Sequence, residues 1–312
     1  MVLLALVGRW RRRVALVLMG RLYVALAIAL LAIASTLAGW GKTAAGGHGV
    51  LLLQTETDPR LQQILLWHPR GAAPQPLGSS SDWILTPKWS LDGTSIAFAE
   101  QQGGWEDGAN YDIWTMSFDG SGSKRLTYDG LRSNVFRAYE PSWSPDGRHI
   151  VFVRVTENKP YEQLVIVNTR TGKERALHKS GETPAWGKEG IAYVADYRRI
   201  MLMNPAGGQA KVLARVTATG LVWSSRGVLA ALQSDRILLY TASGRQVGFV
   251  RVPFKKTNAC GIAWSPDGRR LLVRTSRRRD GLWSVTPSDG HWRRLPLAIG
   301  TTNFDNCALS WR

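Results

Sequence analysis

Two glutamates, Glu140 and Glu182, precede a tryptophan by three and four residues in the related segments "EPSW" and "ETPAW". Carboxylates that meet from separate parts of a chain can bind a cation or a basic peptide terminus, and they can equally remain solvated at a surface. The five histidines are scattered, no His/Cys/Asp spacing is typical of a zinc site, and no G-x-S-x-G motif is present. We therefore predict no catalytic residue, no metal site and no cofactor.

Aromatic and basic residues form a second group of candidates, because these types dominate the energetics of protein interfaces. They occur in the segments "QQGGWEDGANY" and "VFRAYE" and in an arginine triplet. Residues 251–294 carry 11 basic and 3 acidic residues, which suits an anionic lipid, a cell-wall polymer or an acidic protein surface. Burial under a loop and simple solvation remain alternatives. The full set of interaction candidates is Trp105, Phe136, Arg137, Tyr139, Glu140, Glu182, Arg277, Arg278 and Arg279.

A repeated turn indicates how the chain positions these residues. The pentapeptide "WSPDG" occurs at 143–147 and at 264–268, and each copy precedes an apolar, β-prone segment. Pro, Asp and Gly in this order are typical of a tight turn between two strands. Related segments bring the total to six tryptophans, spaced roughly 37 to 54 residues apart, and we expect all six to pack between blades. They are Trp89, Trp143, Trp186, Trp223, Trp264 and Trp311.

Each tryptophan strand, here called strand A, is followed by further short strands that we call B, C and D. Four-stranded units with this spacing predict an all-β chain, a six-bladed β-propeller with antiparallel blades. The first C strand has no A strand before it, and the last A strand has no B, C and D after it. We therefore expect residues 305–312 to complete the blade begun by residues 49–78, so that no sheet edge remains open. An open β-solenoid is the alternative.

The two cysteines, Cys260 and Cys307, each lie four residues before a strand-A tryptophan. Equivalent positions in neighbouring inner strands lie side by side, so we expect a disulfide bond between them. Two buried thiols are the alternative.

The first 42 residues are basic and apolar, with the apolar run at 22–39 and no acidic residue among them. Positive charge is retained on the cytoplasmic side, so we expect the remainder, 43–312, to be exported as one domain. An uncleaved transmembrane anchor and a cleaved signal peptide both fit, and we favour the anchor. Either Met1 or Met19 could be the start.

The pattern P-x-W-S-P-D-G, then an apolar strand, then I-W and D-G, resembles the TolB-type β-propeller repeat. The resemblance covers nearly everything from 49 to 312, and it is weakest in the blades headed by Trp186 and Trp223. Nothing in the chain corresponds to the N-terminal α/β domain of TolB. The resemblance implies a non-enzymatic protein-interaction platform of the cell envelope, acting as an accessory or scaffold subunit of a membrane complex. A small-molecule or metal-dependent propeller enzyme is the alternative.

The strand order also predicts an orientation. The first strand after the apolar run is a B strand, which begins on the face that carries the A–B turns. We therefore expect that face toward the inner membrane, with Arg269 and Arg270 near the lipid headgroups and the propeller on the periplasmic side. A protein partner is expected on the opposite face, where Trp105, Glu140 and Arg277–Arg279 lie. No nucleic acid is expected as a partner of an exported domain.

Overall fold

The structure is a computed structural model that describes residues 49–55, 61–68, 73–102, 110–128, 135–157, 161–253, 258–276, 281–296 and 309–312. The regular secondary structure of these residues consists of 24 β-strands. No helix among them is long and apolar enough to cross a membrane. The apolar run predicted at 22–39 lies outside the described residues.

Six sets of four strands, which we call blades, follow one another along the chain. The shared blade contains β1 Val50–Thr55, β2 Leu61–Trp67, β3 Gln75–Asp82 and the last strand, β24 Ser310–Trp311. Blade one contains β4 Ile84–Trp89, β5 Ser95–Gln102, β6 Asn110–Ser117 and β7 Lys124–Arg125; blade two contains β8 Val135–Trp143, β9 His149–Thr156, β10 Glu162–Asn168 and β11 Glu174–Ala176.

The remaining blades follow the same plan. Blade three contains β12 Glu182–Gly187, β13 Gly190–Ala195, β14 Arg199–Met203 and β15 Lys211–Ala214. Blade four contains β16 Gly220–Trp223, β17 Val228–Leu232, β18 Arg236–Thr241 and β19 Gln246–Arg251; blade five contains β20 Asn258–Trp264, β21 Leu271–Ser276, β22 Gly281–Thr286 and β23 His291–Arg294.

Neighbouring strands within each blade are antiparallel, which confirms the predicted all-β chain of four-stranded antiparallel sheets. Strand β24 pairs with β1, with Val50 opposite Trp311, so the sheet order of the shared blade is β24-β1-β2-β3. Blades one and two are also linked by one parallel pair, Tyr111 with Arg137.

The repeated turn has the geometry that its residues predict. The Oγ of Ser144 donates to Asp146 Oδ1 at 2.6 Å, and the same carboxylate accepts from the backbone N–H of Arg148 at 3.1 Å. Gly147 has a φ of 68°, which a residue with a Cβ adopts only with strain. The segment that follows, Ile150–Val153, is fully buried because both faces of this strand pack against apolar neighbours.

The buried apolar residues in the described part of the chain form six clusters, and each combines residues from two blades that follow one another. One of them joins Val50 and Leu309 of the shared blade to Leu272 of blade five. Another joins Leu51 of the shared blade to Ile96 of blade one. Burying each such side chain stabilises the fold by about 1.5–3 kcal/mol, so most of the stability lies between blades.

The strand-A tryptophans lie at these junctions. Trp143 and Trp264 are buried, and the other four are half-buried against the clusters. The backbone N–H of Trp186 donates to Ser142 Oγ at 3.0 Å, and that of Trp89 donates to Ser310 Oγ at 3.1 Å. The last strand therefore contacts blade one through the same bond that links blade two to blade three.

Two faces follow from the strand order. The connections from B to C and from D to the next A lie on one face, which we call the mouth face. The A–B and C–D turns lie on the other, which we call the turn face.

Candidate functional site

Three consecutive A strands contain a β-bulge at the same place on the mouth face. Thr86, Glu140 and Thr183 each lie three residues before the tryptophan and directly before a proline, and their φ angles are 47°, 54° and 48°. The strand register shifts at each of these positions. A positive φ costs a non-glycine residue about 1–3 kcal/mol, and such strain is often retained where a bulge directs a side chain into a functional site.

The bulge in blade two brings Glu140 to blade three. Its Oε2 accepts a hydrogen bond from the backbone N–H of Thr183 at 2.7 Å. Desolvation by burial, together with the charge of nearby Glu182, raises the pKa of this carboxyl to about 7. The Thr183 hydrogen bond and Lys88 act in the opposite direction, but burial has the larger effect. Glu140 is therefore partly protonated near neutral pH.

Lys88 of blade one is the basic residue whose charge favours the ionised form of Glu140. Its Nζ donates to the carbonyl of Leu309 at 3.0 Å, which places it beside the residue that leads into the last strand. Burial lowers the pKa of Lys88, and the charge of Glu140 partly offsets that effect. The hydroxyl oxygens of Thr86 and Thr183 are buried and have no hydrogen-bond partner among the described residues.

A second carboxylate pair lies where blades two and three meet. Burial, followed by the proximity of Glu182, raises the pKa of Glu162, at the start of β10, to about 7. A nearby carboxylate disfavours ionisation of its neighbour, so Glu162 retains its proton to unusually high pH. The hydroxyl of Tyr197 donates to Glu162 Oε1 at 3.4 Å.

Tyr139 adjoins these groups and is half-buried against the clusters on either side of blade two. Burial raises its pKa, and the charges of the three glutamates and of Tyr197 act in the same direction. We call the set Glu140, Glu162, Glu182, Tyr139 and Tyr197 the acidic mouth. Among the described residues, no group of His, Cys, Asp or Glu is arranged to hold a metal ion.

The predicted site residues are thus only partly brought together. Tyr139, Glu140 and Glu182 meet in the acidic mouth, and Arg137 is exposed in the same strand, β8. Cys260 lies in β20 on the mouth side of its tryptophan. Trp105, the side chain of Phe136, Arg277–Arg279 and Cys307 lie outside the described residues.

Sequence reasoning missed Glu162, Tyr197 and Lys88. Glu162 and Tyr197 belong to B–C connections, whose sequences do not repeat from blade to blade. A signal for the bulges was present, because "TPKW", "EPSW" and "TPAW" place proline two residues before tryptophan in three blades. A proline inside an inner strand is the ordinary sign of a bulge.

No family model matches the chain. A segment is similar to the protein TolB homolog of Chlorobium luteolum, with 27% identity over 178 residues, 55% of this chain and 34% of the relative. Another match, to the uncharacterized peptidase YuxL of Bacillus subtilis, is 31% identical over 111 residues, 34% of this chain and 16% of the peptidase. The chain thus spans about a third or less of the length of these curated relatives.

The comparison of folds agrees with this segment similarity. The crystal structure of TolB from Acinetobacter baumannii superposes with a TM-score of 0.64 at 18% sequence identity, covering 85% of this chain and 66% of that one. A likeness at this identity shows the fold alone, and the segment similarity to TolB homologues supports the same assignment. The chain carries a TolB-like β-propeller.

Proposed function

We propose that this chain is a non-enzymatic protein-interaction platform of the cell envelope, and that the acidic mouth is where its protein partner binds. The observation that carries the proposal is the acidic mouth itself. Glu140 and Glu162 have pKa values raised to about 7, which means that the fold holds carboxylates where burial opposes their ionisation. A basic segment of a partner would favour the ionised forms and so gain binding free energy.

Further features of the mouth face support a protein ligand. Tyr197 and Tyr161 are 64% and 55% exposed, and tyrosine is among the residues that dominate interface energies. The chain is similar in fold to TolB, and its curated relatives include a protein named as a TolB homolog.

The proposal includes a closed six-bladed ring, 43–312, held at the inner membrane by the N-terminal segment with the ring on the periplasmic side. Support for closure comes from the pairing of β24 with β1 and from the cluster that joins the shared blade to blade five. Support for the anchor comes from the sequence, because the apolar run at 22–39 follows five arginines.

A disulfide bond between Cys260 and Cys307 is part of the same proposal. No free cysteine is found among the described residues, and the chain has only these two cysteines. An oxidising compartment outside the cytoplasm is where such a bond persists.

The test is isolation of the tagged full chain from membranes, followed by identification of the proteins retained. Glu182→Gln removes one negative charge from the acidic mouth, and Gln209→Lys adds one positive charge on a C–D turn of the turn face. We expect Glu182→Gln to weaken retention of the partner by about tenfold, the order of one lost charge-assisted contact. Gln209→Lys should leave retention unchanged. Equal retention by both variants would refute the acidic mouth as the binding site.

One observation favours an enzyme as a second candidate. Carboxyl groups with pKa values near 7 are suited to general acid–base catalysis, and a segment of the chain resembles a protein named as a peptidase. If the mouth is catalytic, Glu140→Gln abolishes hydrolysis of a panel of peptide and lactone substrates that the unmodified chain cleaves. Absence of turnover by the unmodified chain excludes these substrate classes.

A further inference from the structure

Every A–B connection of the turn face, apart from that of blade one, carries at least one basic residue. Arg148, Lys188, Arg226 and Arg269 are exposed in the A–B turns of blades two to five. Arg312 directly follows β24 and lies against Gly93 in the turn of blade one. Basic residues therefore surround the end of the ring's axis on this face.

The turn of blade one instead presents an apolar residue. Leu91, at its tip, is 64% exposed. The neighbouring C–D turn of the same blade presents Phe118, which is 49% exposed, and the two turns are joined by a hydrogen bond from the N–H of Phe118 to the carbonyl of Thr94 at 3.0 Å. An exposed leucine and phenylalanine on adjoining turn tips form an apolar projection beside the basic residues.

These turns also contain four acidic residues, which are outnumbered by the six basic residues Arg148, Lys188, Arg226, Arg269, Arg270 and Arg312. Glu189 forms an ion pair with Lys188 at 3.9 Å. The carboxylates of Asp92, Asp146 and Asp267 each accept hydrogen bonds from a serine two residues earlier and from the backbone two residues later. They are turned back into their own connections, whereas the arginine and lysine side chains extend from them. Arg226 is additionally held toward blade five by a bond from its Nε to the carbonyl of Asp267 at 2.9 Å.

We propose that the turn face docks on an anionic phospholipid bilayer, with Leu91 and Phe118 entering the interface and the surrounding basic residues contacting the headgroups. A protein binds to the surface of an anionic membrane by burying apolar side chains in the interface and by attraction of its basic residues to the headgroups. Gly49, the first described residue, lies on this face, since its carbonyl accepts bonds from Arg312 and Trp89. Nine residues, 40–48, separate it from the apolar run.

This inference rests on the proposed membrane attachment, and it adds that the ring itself contacts lipid. Nine residues could extend about 30 Å, so a tethered ring need not touch the bilayer. Docking of the turn face would leave the acidic mouth pointing away from the membrane and open to a partner.

The experiment uses the full chain in vesicles of phosphatidylcholine with and without phosphatidylglycerol. An environment-sensitive fluorophore is attached at Leu91→Cys on the turn face or at Tyr197→Cys on the mouth face. We expect a blue shift only for the Leu91 label and only in vesicles that contain phosphatidylglycerol, and we expect high salt to reverse it.

A second experiment removes positive charge from the turn face. The side chains of Arg148 and Arg269 make no hydrogen bond to a described residue, so the pair Arg148→Gln and Arg269→Gln tests charge with little effect on folding. Each basic residue near an anionic surface strengthens binding about fivefold, so the double variant should weaken docking by about thirtyfold. The matched pair Arg198→Gln and Arg215→Gln on the mouth face should have no effect.

A Leu91 label that reports the same environment in both kinds of vesicle would overturn the inference, as would docking that is indifferent to the two arginines and to salt. The salt titration of the labelled chain distinguishes these outcomes even if the double variant does not fold. Retention of the protein partner is measured separately. Loss of vesicle docking with the partner still bound refutes this inference alone, and loss of the partner with docking intact refutes the proposed function alone.

Discussion

The aspartates of the A–B turns and the glutamates of the acidic mouth have pKa values that are shifted in opposite directions. On the turn face, hydrogen bonds from Ser144 and Ser265 lower the pKa values of Asp146 and Asp267, so these groups are ionised and stabilise their turns. On the mouth face, burial raises the pKa values of Glu140 and Glu162 to about 7. The first arrangement contributes stability at neutral pH, and the second reduces it.

The difference distinguishes residues that stabilise the fold from residues whose burial costs stability. The Ser-x-Asp turn repeats because each copy forms the same tight connection between strand A and strand B. The set of carboxyl groups in the acidic mouth does not repeat, Glu140 within it has a left-handed backbone, and burial there opposes ionisation. A feature that costs stability and occurs in one place is more consistent with function than with folding.

Strand β24 pairs with β1 and contacts blade one, so removing it should have the largest effect on the fold. Deleting residues 309–312 removes the partner of β1 and the Ser310 bond to Trp89, and it exposes a sheet edge. We expect loss of the cooperative thermal transition, or association of the truncated chain, measured by calorimetry and light scattering. A monomer that keeps the full transition would refute the shared blade.

The proposed disulfide crosslinks the mouth side of the same seam. It closes a loop of 47 residues, so Cys260→Ser should lower the free energy of unfolding by about 4 kcal/mol on the chain-entropy account. Denaturant titration measures this change, and reducing the unmodified chain should reproduce it. Quantitative thiol labelling of the denatured, unreduced chain would show that no bond exists.

Glu140 should make the fold less stable as the pH rises. Its pKa is about 7 in the folded chain and about 4.5 when unfolded, so the folded state holds more protons between these values. Stability is therefore greatest at low pH within this window and falls by about 3 kcal/mol as the pH rises through 7. Glu140→Gln should be more stable than the unmodified chain at pH 8 and should lose most of this dependence, with Glu162 supplying the remainder.

The pH series is checked by denaturant titration at pH 5 and pH 8. Glu157→Gln, at an exposed position on the same face, serves as the matched control and should retain the full dependence. A flat profile for the unmodified chain would mean that Glu140 is solvated.

Asp267 should instead make the fold more stable as the pH rises, and its effect should be smaller than that of Glu140. Asp267→Ala removes bonds from Ser265 and from the backbone of Arg269, so we expect a loss of about 1 kcal/mol. Because the folded pKa is lowered, this contribution is present above pH ~4 and is lost as the pH falls through the folded value. Asp235→Ala, in an exposed ion pair of the mouth face, should cost less. A loss that persists unchanged at acidic pH would show that the charge of Asp267 is not involved.

The sequence was a good guide where the chain repeats itself. The tryptophans, the turn "SPDG" and the alternating apolar strands predicted the four-stranded units, because each unit meets the same packing requirement. The acidic mouth was predicted only at Tyr139, Glu140 and Glu182, which precede a strand-A tryptophan by three or four residues. Glu162 and Tyr197 could not be predicted, because they reach the mouth from connections whose paths depend on the packing of two blades.

The central claim is that the mouth face, and not the turn face, binds the protein partner. A photo-crosslinking residue placed at Tyr197 or at Leu91 in the full chain, in intact membranes, tests it directly. We expect one protein to be captured from position 197 and to be lost when Glu182 is changed to Gln, while position 91 captures no protein. Capture of that protein from position 91, or capture from position 197 that does not depend on Glu182, would contradict the claim.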